Sequence, residues 1–448
     1  MNYQKLISKF LKKEEKLSIN LISGVLYLQT RFYLFRRFQQ IEMKSKNFNS
    51  RTYNKRFFFL EIISFLVMLI KFPIFIFKKN TQVFVEHARY QKVDDTFVEP
   101  YSFLSQKKVL DNSRSLIRIG TIKNGINDMN ILNFNYLFIS QYQFQFFSLF
   151  LGIFLFPLSI VFFYQSYVQL SRHFTKQILG KGYFLKLLYY SGSNLLSFII
   201  FFILRPKTVN VTEAYNSNSC FILAANMLKI ESYEFQHGLI SKEHIGYNLT
   251  FKNNKAKKMF LPQNIYSWSK DWKEFIGIVN NENVKLIPWT YEYFYQFTKN
   301  FSVSNQKSID MLIIGQPSIS DELQKMALNL LSNSDLRIIY KAHPKEIISE
   351  YIRTKLTISN DNLYDLLLKS KFVVGGFSTA LLEAKSLNCK VFSIINYVPK
   401  EYLEVLNHFS VTLINSNVNM QEYFNDNNVV SYISVKEPIK INFKELLP

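Results

Sequence analysis

The stretch Lys371–Tyr397, KFVVGGFSTALLEAKSLNCKVFSIINY, decides the fold that the sequence predicts. Its apolar run Phe372–Val374 is short enough for a buried parallel strand. The two glycines that follow permit a sharp turn and a close approach of the backbone to a ligand. Ser378 stands where a helix begins, and Val391–Ile395 supplies the next strand. The stretch therefore predicts a strand–turn–helix–strand unit in a parallel sheet.

The turn of this unit is also a candidate anion site. Gly376 permits close approach, and the hydroxyls of Ser378 and Thr379 lie beside backbone N–H groups at a helix N-terminus, where phosphate binds. Glu383, one turn into the helix, is a candidate acceptor of hydrogen bonds from ribose hydroxyls. Two plainer interpretations stay open: the glycines only make a crossover turn, and Glu383 is exposed or paired with a lysine.

Alternating strand and helix patterns extend from this unit in both directions and predict an α/β fold. One series, with strands at Val209–Val211 and Tyr233–Phe235, ends near residue 290, and a second begins after about 305. We expect two Rossmann-like doubly wound domains facing a cleft, at 81–295 and 305–448. The tryptophan-containing stretch between Gly238 and residue 290 is interpreted as a linker.

The first 80 residues predict basic, Phe-rich helical segments that face a membrane. The chain has a net charge of +21 and 44 Phe, and residues 1–56 hold 13 Lys/Arg against 3 Asp/Glu. Such charge favours an anionic membrane surface. Nucleic acid is not favoured as a partner, because no zinc spacing, RNA-binding signature or basic zipper is present. Cys220 and Cys389 lie in apolar surroundings, which favours buried free thiols and excludes a disulfide scaffold.

Three apolar segments bear on the membrane prediction. Residues 57–77 carry two charges and Pro73, which favours a core or interfacial helix that ends near the proline. Residues 144–163 are the strongest spanning candidate, and 189–204 are a shorter one. If both spanned, the basic loop between them would face the cytosol and the C-terminal half would lie outside. We therefore expect a peripheral protein on the cytoplasmic face of the inner membrane, with 144–163 as a possible span; no cleavable signal peptide is apparent.

A histidine at a strand end is the first catalytic candidate. His237 follows the strand Tyr233–Phe235, at the position where open α/β sheets place ligands. Gln236 and Gly238 flank it and favour a tight turn toward a cleft. His244, a second catalytic candidate, and Tyr247, a cleft candidate, follow in the same loop. An imidazole here is suited to proton transfer near neutral pH or to stabilising a leaving phosphate, although a backbone-satisfied turn histidine is the plainer alternative.

The second strand-end candidate is Lys341-Ala342-His343-Pro344, after the strand Ile338–Tyr340. Alternation places Lys341 and His343 on one side, where they would face a phosphate or a base, unless they are only a solvated pair. Gly315 closes the neighbouring strand Met311–Ile314 in the same way. No Asp-x-Asp motif stands at a strand end, so the sequence predicts no metal requirement.

The ordered motifs QHG, KxHP and GGFSTxxxE resemble bacterial nucleotide-sugar transferases of the two-Rossmann-domain (GT-B) type. The resemblance covers about residues 208–400 and is strongest to CMP-sialic acid and Kdo transferases and to the CDP-glycerol polymerases of teichoic acid. In the CMP-sugar enzymes an HP motif and a Ser/Thr motif hold the nucleotide, which implies that role for His343-Pro344 and Ser378-Thr379. The acidic base motif of the sialyltransferases has no clear counterpart here, and His237 is the candidate to replace it.

The resemblance implies an inverting, metal-independent glycosyltransferase. Its donor would be a nucleotide-sugar, with a CMP-sugar favoured, and it would need no other cofactor. The acceptor would be a glycan or lipid-linked glycan of capsule or lipopolysaccharide. Two alternatives stay open: a CDP-polyol phosphotransferase of the teichoic-acid type, and a non-catalytic, membrane-associated sugar-binding subunit.

Overall fold

The structure is a computed structural model. It describes residues 3–42, 55–298 and 307–415, except for positions 88, 94, 125, 126, 129, 131, 283 and 290. The chain divides into two compact units. Unit 1 comprises Met1–His237 and Glu243–Glu292, and unit 2 comprises Gly238–Lys242 and Tyr293–Pro448. The predicted helical segment at 1–80 belongs to unit 1, and the part of the predicted C-terminal domain after residue 415 lies outside the described residues.

A seven-stranded parallel sheet forms the centre of unit 1. Its order is β5-β4-β1-β6-β7-β8-β9, and a small antiparallel hairpin, β2-β3, lies apart from it. The strands are β1 (Gln82–Val85), β2 (Gln91–Val93), β3 (Thr96–Val98), β4 (Leu116–Gly120), β5 (Tyr136–Ser140), β6 (Thr208–Thr212), β7 (Glu231–Phe235), β8 (Asn264–Ser267) and β9 (Lys285–Pro288).

Within the described part of the chain, nine α-helices accompany this sheet. They are α1 (Tyr3–Glu14), α2 (Leu21–Glu42), α3 (Lys55–Ile76), α4 (Phe103–Asp111), α5 (Gln141–Ser171), α6 (Lys181–Leu204), α7 (Ser219–Met227), α8 (Asn254–Phe260) and α9 (Gly277–Asn281). Side chains of α3, α6 and α7 pack with β1, β4, β5 and β6 in one core that contains Phe75, Val83, Phe201 and Phe221.

Unit 2 contains a five-stranded parallel sheet of order β11-β10-β12-β13-β14. Its strands are β10 (Ile309–Ile314), β11 (Ile338–Lys341), β12 (Ser370–Gly375), β13 (Lys390–Ile394) and β14 (Thr412–Ile414). The remaining helices are α10 (Glu292–Thr298), α11 (Ser320–Asn333), α12 (Glu350–Lys355), α13 (Leu363–Lys369), α14 (Thr379–Ser386) and α15 (Lys400–His408).

The predicted fold class is confirmed, since both sheets are parallel and Rossmann-like. Counted along the main sheet, the strands of unit 1 follow the order 3-2-1-4-5-6-7, and those of unit 2 follow 2-1-3-4-5. Both orders are doubly wound patterns with a reversal beside the first strand. β12 is central in its sheet, and each of its residues except Lys371 is buried, as its apolar run predicts.

One sequence prediction about local structure is wrong. The stretch interpreted as a linker contains β8 and β9, which extend the sheet of unit 1. The first apolar helix ends near Pro73 as predicted, at Ile76, so the proline lies within the last turn of α3. Its apolar side chains pack against the sheet core through Phe75, and this packing offsets the backbone hydrogen bond that proline removes.

Among the described residues, three helices are long and apolar enough to cross a membrane by length and composition: Phe59–Ile76 within α3, together with α5 and α6. α5 and α6 form an antiparallel hairpin between β5 and β6 and touch through small residues. A Cβ atom on Gly152 would overlap the carbonyl of Leu188, and one on Gly192 would overlap the carbonyl of Ser148. The two backbones are therefore in direct contact.

We expect Gly192→Ala to lower the free energy of unfolding by about 1–3 kcal/mol, because the added methyl group would push the two helices apart. Gly180→Ala is the matched control, since the nearest atoms to its added Cβ lie at 3.8 and 3.9 Å. Thermal unfolding of the purified proteins in one detergent checks this. Equal stability of the two variants would contradict the close helix contact.

Candidate active site

The candidate active site of unit 1 lies where the strand order reverses, between β1 and β6. In doubly wound sheets this point, at the carboxyl ends of the strands, is where ligands bind. His87 follows β1, Glu213 follows β6, and His237 follows the adjacent strand β7. Parallel pairing brings these three side chains to one edge, although 150 residues of sequence separate the two histidines.

His87 and Glu213 form the first contact of this group. The Nε2 atom of His87 lies 3.0 Å from a carboxylate oxygen of Glu213. The Nδ1 atom of the same ring accepts the backbone N–H of Arg89 at 3.1 Å. Nε2 therefore carries the proton and donates it to Glu213, and both ring nitrogens are occupied. His87 is thus better placed to orient Glu213 than to accept a proton.

In His237, by contrast, one ring nitrogen has no hydrogen-bond partner among the described residues. Its ring stacks on His87 with the centroids 5.5 Å apart, and its Nε2 atom lies 3.1 Å from the hydroxyl of Tyr215. Its backbone carbonyl accepts the hydroxyl of Tyr101 at 2.9 Å. The Nδ1 atom is buried and has no hydrogen-bond partner among the described residues. Unpaired buried polar atoms are rare and call for a functional or structural explanation.

The electrostatics of the group favour a neutral imidazole beside a carboxylate. Burial lowers the pKa of His237 to about 3, against the opposing attraction of Glu213. Burial raises the pKa of Glu213, but the hydrogen bond from His87 and the attraction of both imidazoles bring the net pKa below its ordinary value. At neutral pH the imidazole of His237 is therefore unprotonated.

The other predicted residues of this loop have different surroundings. His244 does not touch His237; both rings contact Tyr215, with centroids 5.5 and 5.9 Å from it. The Nδ1 atom of His244 accepts the backbone N–H of Gly246 at 3.1 Å. Burial lowers the pKa of His244 to about 4. His244 is therefore a support for Tyr215 in this structure.

Gln236 and Tyr247 are buried in unit 1, whereas Gly238 belongs to unit 2 and has open space around it. Gln236 is buried and accepts the backbone N–H of Trp268 at 3.1 Å, which ties β7 to the segment after β8. Tyr247 is also buried, and its hydroxyl donates to Glu234 at 2.8 Å. A Cβ on Gly238 would meet no atom within 4 Å, so close packing does not require glycine there.

Sequence reasoning missed His87, Glu213 and Tyr215. The sequence does contain a signal for His87. The apolar run Val83–Val85 is followed directly by the polar residues Glu86 and His87, and ligand-binding residues follow the strands of doubly wound sheets in this way. No local pattern predicts the pairing of His87 with Glu213, since it depends on the neighbouring positions of β1 and β6.

In unit 2 the reversal of strand order lies between β10 and β12. Gly315 and Gln316 follow β10, and Gly376 follows β12. The side-chain carbonyl of Gln316 accepts the backbone N–H of Phe377 at 3.1 Å. A Cβ on Gly376 would lie 2.6 Å from that carbonyl oxygen and 2.5 Å from a methyl group of Ile319. The two turns therefore meet closely, and a larger residue at 376 would displace the side chains of Gln316 and Ile319.

The predicted helix start is confirmed. Ser378 is the N-cap of α14, and its hydroxyl accepts the backbone N–H of Ala380 at 3.3 Å. Thr379 is the first residue of that helix. Glu383 lies one turn later and is partly buried rather than fully exposed. Burial raises its pKa to about 7, and hydrogen bonds with the side chains of Tyr364 and Thr379 oppose that rise.

Lys341, His343 and Pro344 lie at the same carboxyl edge, at the end of β11. Burial lowers the pKa of Lys341, whose amine lies 3.5 Å from the carbonyl of Ser359. The ring of His343 is exposed, and its Nδ1 atom accepts the backbone N–H of Lys345 at 3.1 Å. All eight predicted nucleotide-binding residues of unit 2 thus lie at the end of, or after, three adjacent strands: Gly315, Lys341, His343, Pro344, Gly376, Ser378, Thr379 and Glu383.

The described residues contain no group of three or more His, Cys, Asp or Glu side chains placed to hold a metal ion. Metal independence and the absence of a further cofactor stay predictions. The two cysteines are free and buried, as expected from their apolar surroundings.

No protein-family model matches this chain, and no curated protein is significantly similar to it. Solved structures with a similar arrangement include UDP-GlcNAc 2-epimerase from Neisseria meningitidis bound to UDP-GlcNAc, at 13% identity and a TM-score of 0.45 over 79% of this chain and 91% of that one. The glycosyltransferase SnogD from Streptomyces nogalater matches at 9% identity and a TM-score of 0.44 over 78% and 92%. These values assign neither a family nor an activity, and the fold follows from strand order and register.

The buried carboxyl of Glu383 predicts a pH-dependent stability. The folded-state pKa of Glu383 is about 7, above the ordinary value of 4.5. Its protonated carboxyl therefore contributes fully to the stability of the fold below pH 4.5, and this contribution is lost as the pH rises through about 7. We expect Glu383→Gln to be more stable than the parent by about 1–3 kcal/mol at pH 8 and not at pH 4.5. Urea unfolding at both pH values checks this, with exposed Glu350→Gln as the control. A pH-independent difference for Glu383→Gln would contradict it.

Proposed function

We propose that this protein is an inverting glycosyltransferase that uses a nucleotide-sugar donor. The observation that supports it most directly is the unpaired, buried Nδ1 atom of His237 at the strand reversal of unit 1. The strand reversal of unit 2 supplies the second support, since a tight turn through Gly376 and a capped helix start lie there. A nucleotide phosphate and a neutral base are the two elements that such a transfer needs.

In the proposed reaction His237 acts as the general base. Its Nδ1 atom takes the proton of the acceptor hydroxyl while the acceptor oxygen forms a bond to the anomeric carbon of the donor. The bond from that carbon to the donor phosphate breaks at the same time, and the phosphate oxygen keeps the electron pair. The proposal requires the tautomer in which Nε2 carries the proton and donates it to the hydroxyl of Tyr215, 3.1 Å away, because only that tautomer leaves a lone pair on Nδ1. One displacement of this kind inverts the anomeric centre.

The nucleotide is assigned to unit 2 in this proposal. Ser378, Thr379 and the amine of Lys341 would contact phosphate, and His343 and Glu383 would contact the nucleoside. The order of these motifs resembles that of CMP-sugar transferases, so a CMP-sugar is the favoured donor. The favoured acceptor is a bacterial surface glycan, such as capsule or lipopolysaccharide. The proposal includes no metal and no other cofactor.

A donor screen with a histidine variant tests the proposal. We expect transfer from one donor in a panel of CMP-, CDP-, UDP- and GDP-sugars, and a fall in kcat of about 10²-fold or more in His237→Ala, because the base is lost. His408→Ala, at an exposed histidine in α15, is the control and should keep full turnover. Full turnover by His237→Ala would rule out the base assignment.

The phosphate assignment is tested with two N-cap serines of unit 2. Ser378 caps α14 and Ser349 caps α12, so replacement by glycine removes a similar cap from each helix at a cost of a few tenths of a kcal/mol. We expect Ser378→Gly to weaken binding of the donor nucleotide about tenfold by calorimetry, whereas Ser349→Gly binds like the parent. Equal affinities of the two variants would refute a phosphate site at α14.

A further inference from the structure

The outward surface of α3, α5 and α6 is apolar, which is unusual for a face turned to water. On α5 the buried side chains lie on one side of the helix, and large exposed apolar residues lie on the opposite side. Phe150, Phe154 and Leu158 are 61%, 73% and 76% exposed. The exposed residues of the three helices include Leu66, Leu69, Ile70, Phe146, Phe150, Ile153, Phe154, Leu158, Val161, Leu185 and Phe202. We call this surface the apolar face.

Aromatic contacts make the apolar face continuous. Phe65 of α3 stacks on Phe147 of α5 with the ring centroids 5.6 Å apart. Phe184 of α6 meets Phe156 and Phe163 of α5 at 5.3 and 6.1 Å. The exposed residues of the three helices therefore belong to adjoining surfaces of one packed layer.

Basic side chains border the apolar face at the turn of the α5–α6 hairpin. Arg172, Lys176 and Lys181 are exposed, and residues 172–186 contain no Asp or Glu. An apolar helix face bordered by cations fits a lipid bilayer that contains anionic headgroups. A soluble protein partner would not require this uniform positive border.

Contacts of the N-terminal helices decide how the hairpin can meet that bilayer. The amine of Lys13 donates to the carbonyl of His173 in the hairpin turn at 2.6 Å. The carboxylate of the next residue, Glu14, accepts the backbone N–H of Thr250 at 3.1 Å, in the segment after β7. Glu14 also forms a buried ion pair with Arg31, whose guanidinium donates to the carbonyl of Asn248 at 3.0 Å.

These contacts place the hairpin turn close to a loop of the sheet. Lys13 and Glu14 are adjacent, with Cα atoms about 3.8 Å apart, so little more than two side chains separate residues 173 and 250. The hydrocarbon core of a bilayer is about 30 Å thick, which two side chains cannot cross. A hairpin that spanned the membrane would leave its turn on the side opposite residue 250 and would break these contacts.

We propose that α3 and the α5–α6 hairpin insert into one leaflet of an anionic bilayer in the plane of the membrane, without crossing it. The apolar face lies among the acyl chains, the basic turn contacts the headgroups, and the hairpin turn stays on the same side as the sheet of unit 1. A spanning hairpin with its basic loop in the cytosol would place the C-terminal half of the chain outside the cell. In-plane insertion keeps the loop and the C-terminal half on the same side of the membrane.

Vesicle binding tests the insertion. We expect the full chain to float with vesicles of phosphatidylcholine and phosphatidylglycerol (3:1), and the triple variant Phe150→Asp, Phe154→Asp, Leu158→Asp to bind at least tenfold less. Ile347→Asp, at a residue of unit 2 that is 91% exposed, is the matched control and should float like the parent. Because all four side chains are exposed, equal melting temperatures verify folding. A parent that does not float, or a triple variant that floats equally, overturns the proposal.

Thiol labelling tests the topology. Thr175→Cys marks the hairpin turn and Lys255→Cys marks α8, and both positions are exposed. The parent cysteines are buried and provide the background control. We expect a membrane-impermeant maleimide to label both variants from the same side in sealed membrane vesicles of one orientation. Labelling from opposite sides would show a spanning hairpin and overturn the proposal. Neither outcome depends on sugar transfer.

Discussion

Parallel strand pairing is the constraint on which the chemistry of this chain depends. Strands that run in one direction end at one edge, so residues far apart in sequence collect there. In unit 1 this brings His87, Glu213 and His237 together, and in unit 2 it brings Gly376 and Ser378 beside the turn after β10. Each group lies next to the reversal of strand order in its own sheet.

The elements of unit 2 could be predicted because their signals are local. Short segments predict the strand, the turn and the helix start here. They are the apolar run Phe372–Val374, the two glycines after it and the N-cap residue Ser378. The partners of His237 could not be predicted in this way. Its contact with His87 depends on the order of three strands, with β6 between β1 and β7. The pairing of His87 with Glu213 is therefore a property of topology.

The N-terminal helices connect the two features of unit 1 that bear on function. Phe32 of α2 stacks on Tyr215, with the ring centroids 4.9 Å apart, and Tyr215 holds His237. The same helix contacts α6 through the hydrogen bond between Gln29 and Asn194 at 2.7 Å. The buried Glu14–Arg31 pair fixes α1 to α2, and such a pair is costly to break. One helix thus supports both the candidate base and the apolar hairpin.

The central proposal is that a neutral imidazole takes the acceptor proton during a single displacement at the anomeric carbon. The most direct measurement is the anomeric configuration of freshly formed product by proton NMR, with the donor identified in solution. The account predicts transfer with inversion relative to the donor. Retention of configuration, or the absence of transfer from every nucleotide-sugar with its acceptor present, would contradict it.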